Sequence, residues 1–188
     1  LTNTTIRNGF IRSECAAEYN SYTGHWDMLP NVGFAEGVAG AGLAEELHVS
    51  GIGGTCINAS VVRHCTACSC RQGIVAREAT DSSASNSCQT AITAESVLRC
   101  RGSCEGGGYG IYATGRVVGS YGESRSDASG TTTAGIYAHT VGDSTGRSQG
   151  STTGSCGIRT YGTDDHGATE NCIGLGADGI ITGAATNC

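Results

Sequence analysis

The amino-acid sequence predicts an all-β fold, a parallel β-helix (β-solenoid) of about nine rungs that takes in residues 1–188 as a single domain. Three observations predict it. The tetrapeptide Gly-Ile-Tyr-Ala is written twice, at 110–113 and at 135–138, 25 residues apart. Extending that period in both directions gives a series of large apolar anchors: Phe10, Phe34, Ile57, Ile74, Ile92, Ile111, Ile136, Ile158 and Ile180, spaced by 17 to 25 residues. Further columns hold beside the anchors, and a period with several columns is the mark of a repeat architecture.

The columns are chemically selective. The residue before the anchor is Gly73, Gly110, Gly135, Gly157 or Gly179, with Cys56 and Ala91 as departures. Two places after the anchor stand Ala59, Ala76, Ala94, Ala113, Ala138, Thr160 and Thr182. Five places after it come Val62, Ala79, Val97 and Val141, with Val117 displaced by one inserted residue; eight places after it come Cys65, Ser82, Cys100, Ser144, His166 and Cys188. Positions i and i+2 share a face only on a strand. A large and a small inward residue on every repeat therefore describe stacked short strands. Between them stand Asn58, Val75, Thr93, Tyr112, Tyr137, Arg159 and Ile181, a mixture that suits the outward face. Glycine before the anchor predicts a tight corner with positive φ. A repeat of about 20 residues cannot bury its apolar face alone, and stacking buries it.

Taken in order, Phe10 opens the first rung. Residues 15–32 lie off the pattern, hold the only Trp, Met and Pro, and are expected as a long loop on the side of the solenoid. Residues 42–50 (GLAEELHVS) read equally as a short helix or a strand before the Ile57 anchor. From Ile57 onward each anchor begins a rung.

The stretches VVRHCTA, GIVARE, GIYAT and GIYAHT resemble the right-handed parallel β-helix repeats of the pectin-lyase-like superfamily, and are similar to the Gly/Ser/Cys-rich repeats of bacterial secreted and surface proteins. The uneven turn length fits the right-handed form, in which one loop varies freely. The resemblance implies a fold and leaves function open, because function on such scaffolds lies in individual sites.

Composition narrows the function classes. The chain has 31 Gly and one Pro, with 5% aromatic and 15% charged residues, as a thin core of Ile, Val and Ala would require. Net charge is −6 and every basic residue is Arg. Nucleic acid is not an expected partner, since its recognition needs a clustered basic face. No apolar run has the length of a membrane span. The missing initiator Met reads as a processed, secreted chain. No cofactor is expected.

Eleven cysteines are present. Cys65, Cys68 and Cys70, beside His64, would have to converge to hold a metal; on a strand Cys68 and Cys70 face one way and Cys65 the other, so no metal site is assigned. Cys70 and Cys88 each lie four residues before an anchor on consecutive rungs. The rung spacing of about 4.8 Å is within reach of a disulfide, and Cys70–Cys88 is the expected pair. Disulfides imply an oxidising, extracellular setting.

The acidic spot Asp164, Asp165, His166 is the candidate for acid–base hydrolysis; a solvated turn is the simpler reading. Through the resemblance, it is similar in part to the acidic pair and Gly-His-Gly of pectin hydrolases, with elements contiguous here that lie on separate rungs there. His25, Trp26 and Asp27, in the long loop, could contact a sugar ring by aromatic stacking; a cap over the core is the simpler reading. GGGYG, at 106–110, precedes a strand and no helix, so it lacks the context of a phosphate loop. The outward column is no threonine array, which disfavours ice binding. The Ser/Thr-rich turns would suit O-glycans.

No catalytic set is assigned. The expected function is a secreted structural subunit that stacks head to tail into an extracellular filament or surface layer, its partner being a further copy of itself. Both ends of the pattern look open, and open strand edges template association. Cys188, in the small column of the last rung, and Cys15, after the first anchor, are the candidates for a covalent link across the junction. The alternative is a carbohydrate-active or carbohydrate-binding β-helix, such as a lyase, hydrolase, adhesin or phage tail fibre, with glycans as partners.

Overall fold

A computed structural model of the chain describes residues 4–13, 17–20, 25–28, 36–87, 89–125, 133–149, 155–161, 167–182 and 184–188. Its strands in chain order are β1 (Thr5–Arg12), β2 (Ala17–Asn20), β3 (His25–Met28), β4 (Glu36–Ser50), β5 (Thr55–Arg63), β6 (Thr66–Cys68), β7 (Gln72–Thr80), β8 (Ser83–Ser87), β9 (Thr90–Leu98), β10 (Arg101–Cys104), β11 (Tyr109–Val118), β12 (Tyr121–Ser124), β13 (Ala134–Ala138), β14 (Thr140–Gly142), β15 (Thr145–Ser148), β16 (Cys156–Thr160), β17 (Ala168–Glu170), β18 (Ile173–Leu175), β19 (Ile180–Ile181) and β20 (Ala184–Thr186). All but β2 and β3 join one continuous sheet of parallel pairs wound into a solenoid. No helix occurs among the described residues; the stretch at 42–50 is strand. The segment expected as a plain loop at 15–32 contains the antiparallel pair β2–β3.

Each turn has three sides. The first carries the anchor column, in continuous register from Val38 through Ile57, Ile74, Ile92, Ile111, Ile136 and Ile158 to Ile180. The isoleucines from 57 to 158 are wholly buried. Burying such a side chain contributes about 1.5–3 kcal/mol, and the column is the spine of the fold. The outward column beside it is the expected one, Asn58 to Ile181, residue for residue.

One expected anchor does not hold. Phe10 pairs with His48 on the third side and is 87% exposed. Phe34 lies outside the described residues, and the anchor of that turn is Val38, preceded by Gly37. Among the described residues side one has eight anchors, Val38 to Ile180, where nine were expected.

The corner between the second and third sides has one backbone conformation on turn after turn, and from His64 onward one kind of side chain behind it; on the turn before, Leu47 follows Glu46. From His64 to Asn171 a residue with φ near 50° to 60° is followed by a small inward one, and Asn187 by the exposed Cys188. The first set is Asn8, Glu46, His64, Asp81, Arg99, Gly119, Asp143, Asn171 and Asn187. Behind it stand Cys65, Ser82, Cys100, Ser120, Ser144, Cys172 and Cys188. Each Ser hydroxyl donates to the carbonyl two residues earlier, at 2.6–2.9 Å, and the thiols do the same at 3.1–3.3 Å. The N–H groups of Cys65, Cys100 and Ser120 donate across to Ser82, Ser120 and Ser144 Oγ. A small side chain with a hydrogen-bonding atom thereby satisfies backbone groups that the bend removes from the ladder. Cys172 stands next to Ser144 in this column, where His166 was expected, as the pairing of Thr140–Gly142 with Ala168–Glu170 requires; His166 lies outside the described residues.

The corner between the third and first sides narrows along the axis. The facing pairs run Val49 and Cys56, Ala67 and Gly73, Ala84 and Ala91, then Gly102 and Gly110, Gly122 and Gly135, Gly146 and Gly157, Gly174 and Gly179. A Cβ on Gly102, Gly122, Gly146 or Gly174 would overlap the carbonyl of the facing glycine. Close backbone approach therefore explains the glycine before the anchor, and positive φ does not: of that column only Gly179 has it, at 61°.

At the wide end Cys56 and Cys70 form a disulfide, Cα–Cα 5.9 Å, that closes one turn on itself. Cys70 is thus bonded to Cys56 and is not available to Cys88, which lies outside the described residues. No described helix is long and apolar enough to cross a membrane.

Candidate functional site

Among the expected site residues, Asp164, Asp165, His166 and Cys15 lie outside the described residues. His25, Trp26 and Asp27 all fall in strand β3, paired with Asn20, Tyr19 and Glu18 of β2. The cysteines of CTACSC separate: Cys65 is buried in the small-residue corner, Cys70 is in the disulfide, and Cys68 Sγ faces outward 3.9 Å from His48 Nε2. Cys68 and Cys70 do not share a direction, because Ser69 between them has φ 55° and turns the chain. Among the described residues no three His, Cys, Asp or Glu side chains are gathered for a metal ion.

Two polar or aromatic clusters stand on the outer faces. On the first side Tyr137 is stacked on Tyr109, Tyr112 and Tyr161, with ring centroids 5.1, 5.6 and 4.9 Å away and interplanar angles of 16°, 22° and 25°. Burial, followed by the neighbouring Tyr137 hydroxyl, pushes the Tyr109 phenol above its ordinary value, and burial does the same at Tyr161. The Tyr161 hydroxyl donates to the Ala113 carbonyl at 3.0 Å. Rings stacked along the axis cover one another's faces and turn their edges outward, so the cluster is a tyrosine ladder and not a flat platform.

On the third side Glu123 is 5% exposed. Its Oε1 accepts from Gln149 Nε2 at 2.9 Å and Arg125 Nε at 3.1 Å, and its Oε2 accepts from the Tyr121 hydroxyl at 3.3 Å. Arg147 stands 3.9 Å off. Buried charge of this kind needs such partners. With both oxygens engaged, Glu123 is a structural node joining two turns. The sequence offered a signal for it, since register places Glu123 beside Arg147.

The remaining candidate surface is the pair of solenoid ends. At the C-terminal end a hollow of about 410 Å³ is lined by Cys172, Ile173, Gly174, Ile180, Thr182, Ala185 and Cys188. Ile173 is 57% and Leu175 51% exposed. Gly174 between them points inward, so the two side chains project from the outer face of β18. Among the described residues no strand pairs with the free edge of β18, β19 or β20. At the other end a cleft of about 710 Å³ is lined by Phe10, Ile11, Arg12, Ser13, His48, Ser50, Gly51 and Ser69. There β1 covers Leu43–Ser50 of β4 and leaves the edge of Glu36–Ala41 without a described partner. This arrangement can offer backbone donors, acceptors and apolar surface to another chain.

Comparison with family models, with curated proteins and with solved structures finds no match to this chain. What its own geometry establishes is an all-β parallel solenoid with a thin isoleucine spine, a Ser/Cys corner and one disulfide.

Proposed function

We propose that the chain is a secreted structural β-solenoid whose ends take further copies of itself, building an extracellular filament or surface layer. The observation that carries this reading is the likeness of the two end corners. Asn8 and Asn187 both have φ 53° and occupy the same corner column. Placing Arg7–Asn8–Gly9 of a second copy over Thr186–Asn187–Cys188 continues that column without a change of backbone conformation, and Gly9 leaves room for the Cys188 side chain. The free edges of β18 and β20 supply ladder bonds, and Ile173 and Leu175 supply apolar surface. Contacts of this head-to-tail kind propagate instead of closing.

The Cys56–Cys70 disulfide supports an oxidising location. The likeness of the repeats to right-handed, pectin-lyase-like β-helices and to Gly/Ser/Cys-rich bacterial surface repeats supports the same setting.

The test is light scattering as a function of concentration, on the wild-type chain and on the double variant Ile173→Glu, Leu175→Glu. Both side chains are exposed, so the variant keeps the fold, which circular dichroism checks. The expected result is concentration-dependent growth for the wild type and a monomer for the variant. A wild type that stays monomeric at high concentration would overturn the reading.

A further inference from the structure

We infer that Cys172 and Cys188 form a second disulfide, an oxidation-dependent clip that fastens the last turn to the turn before it. The small-residue corner carries the argument. Down that column the residues run Cys65, Ser82, Cys100, Ser120, Ser144, Cys172, Cys188. Cys65 and Cys100 have serine as their next neighbours in the described column. Only Cys172 and Cys188 follow one another directly, on turns paired in register from Ala168↔Ala184 to Glu170↔Thr186. The Cys172 N–H already donates to Cys188 Sγ at 3.4 Å. Turns about 4.8 Å apart lie within the Cα range of a disulfide.

The two thiols differ in a way that sets the order of events. Cys188 is exposed and Cys172 is buried. Burial pushes the Cys188 thiol up, but hydrogen bonds with the Thr169 hydroxyl and the Cys172 N–H outweigh it, and the thiol ends below its ordinary value. Burial pushes Cys172 up. The exposed thiolate is therefore the attacking group. With oxidised glutathione as oxidant, Cys188 S⁻ attacks one glutathione sulfur and expels the other glutathione as its thiolate, leaving a mixed disulfide. Cys172 then loses its proton and attacks Cys188 Sγ, and the second glutathione leaves. Two protein thiols and one glutathione disulfide become one protein disulfide and two glutathione thiols. The clip uses Cys188 within its own chain, which removes it from a covalent link to Cys15 of another copy.

The experiment reads both cysteines in one peptide, because no Arg or Lys lies between Arg159 and Cys188. The protein is equilibrated with oxidised glutathione, alkylated in denaturant, cut with trypsin and weighed. The expected wild-type peptide 160–188 has lost both alkylatable thiols and two hydrogens, and reduction restores both thiols. Cys172→Ser, which keeps the fold because serine already occupies this column, leaves Cys188 carrying glutathione. A wild-type peptide with both thiols alkylated after oxidation, or Cys188 joined to Cys15 of a second chain, would overturn the inference.

Discussion

Tyr137 lies directly over Tyr112 on the neighbouring turn, with ring centroids 5.6 Å apart and ring planes 22° from parallel. The pair lies within the range in which aromatic contacts add about 0.5–1.5 kcal/mol beyond burial. Tyr137 makes three such contacts, with Tyr109, Tyr112 and Tyr161, whereas Tyr161 has one tyrosine neighbour and one hydroxyl bond. Tyr137→Ala is expected to cost about 2–4 kcal/mol and Tyr161→Ala about half that. Urea unfolding of the two variants checks the order; equal losses would mean that the ladder contributes nothing beyond burial.

The isoleucine spine and the exposed Phe10 make opposite predictions for two large apolar residues. Ile111→Ala removes a wholly buried side chain and is expected to cost about 2–5 kcal/mol. Phe10→Ala removes one that is 87% exposed, and its effect is expected to stay within about 0.5 kcal/mol. A large loss at Phe10 would return that residue to the interior and contradict the register of β1.

The glycine columns are tested by a second contrast. A Cβ at Gly122 meets the Gly135 carbonyl and the Ile136 side chain, while a Cβ at Gly142 meets nothing within 4 Å. Gly122→Ala is expected to cost at least about 1–3 kcal/mol through overpacking. Gly142→Ala is expected to be neutral or to stabilise by about 0.4–1 kcal/mol through the unfolded chain. Melting temperatures of the two variants decide it.

Buried thiols make the fold sensitive to alkali. Burial raises Cys65, Cys104, Cys156 and Cys172, and it takes Cys100 from 9.0 to about 11. A folded-state value above the unfolded one means that the folded chain holds the proton more tightly. Stability is then complete below about pH 9 and falls as pH rises toward 11. Cys100 alone accounts for about 3 kcal/mol of that fall. Cys100→Ser, in a column that already carries serine, is expected to flatten the decline. Chemical denaturation at pH 8, 9.5 and 11 measures it, and an unchanged slope in the variant would contradict the assignment.

How much of this the sequence carried depends on how narrowly each position is constrained. The spine was legible because only a large apolar residue fills that space, and the strand period fixes Ala or Thr beside it. The glycine column was visible, but its cause was not, since sequence cannot show which backbone faces Gly110. Phe10 was misplaced because a large apolar residue after Gly9 satisfies the pattern without being inside. The positive-φ corner escaped because Glu46, His64 and Arg99 share it with Asn, Asp and Gly, and no one side chain marks it. Cys56–Cys70 was not legible because the repeat aligns like positions on adjacent turns, while this bond joins the beginning and end of one turn. Closing a loop of that length contributes about 3 kcal/mol. Of the candidate end surface, Ile173 and Leu175 were readable in principle, since Gly174 between them belongs to an inward glycine column. The Asp164–His166 and Cys15 readings lie outside the described residues.

The central claim, that one copy stacks on the next, is tested most directly by negative-stain imaging of the purified chain at high concentration. The spine from Val38 to Ile180 takes seven steps of about 4.8 Å, or about 34 Å in all. Head-to-tail stacking predicts unbranched fibres of constant width, many times that length, which vanish in the Ile173→Glu, Leu175→Glu variant. A field of separate short rods no longer than a single subunit would contradict it.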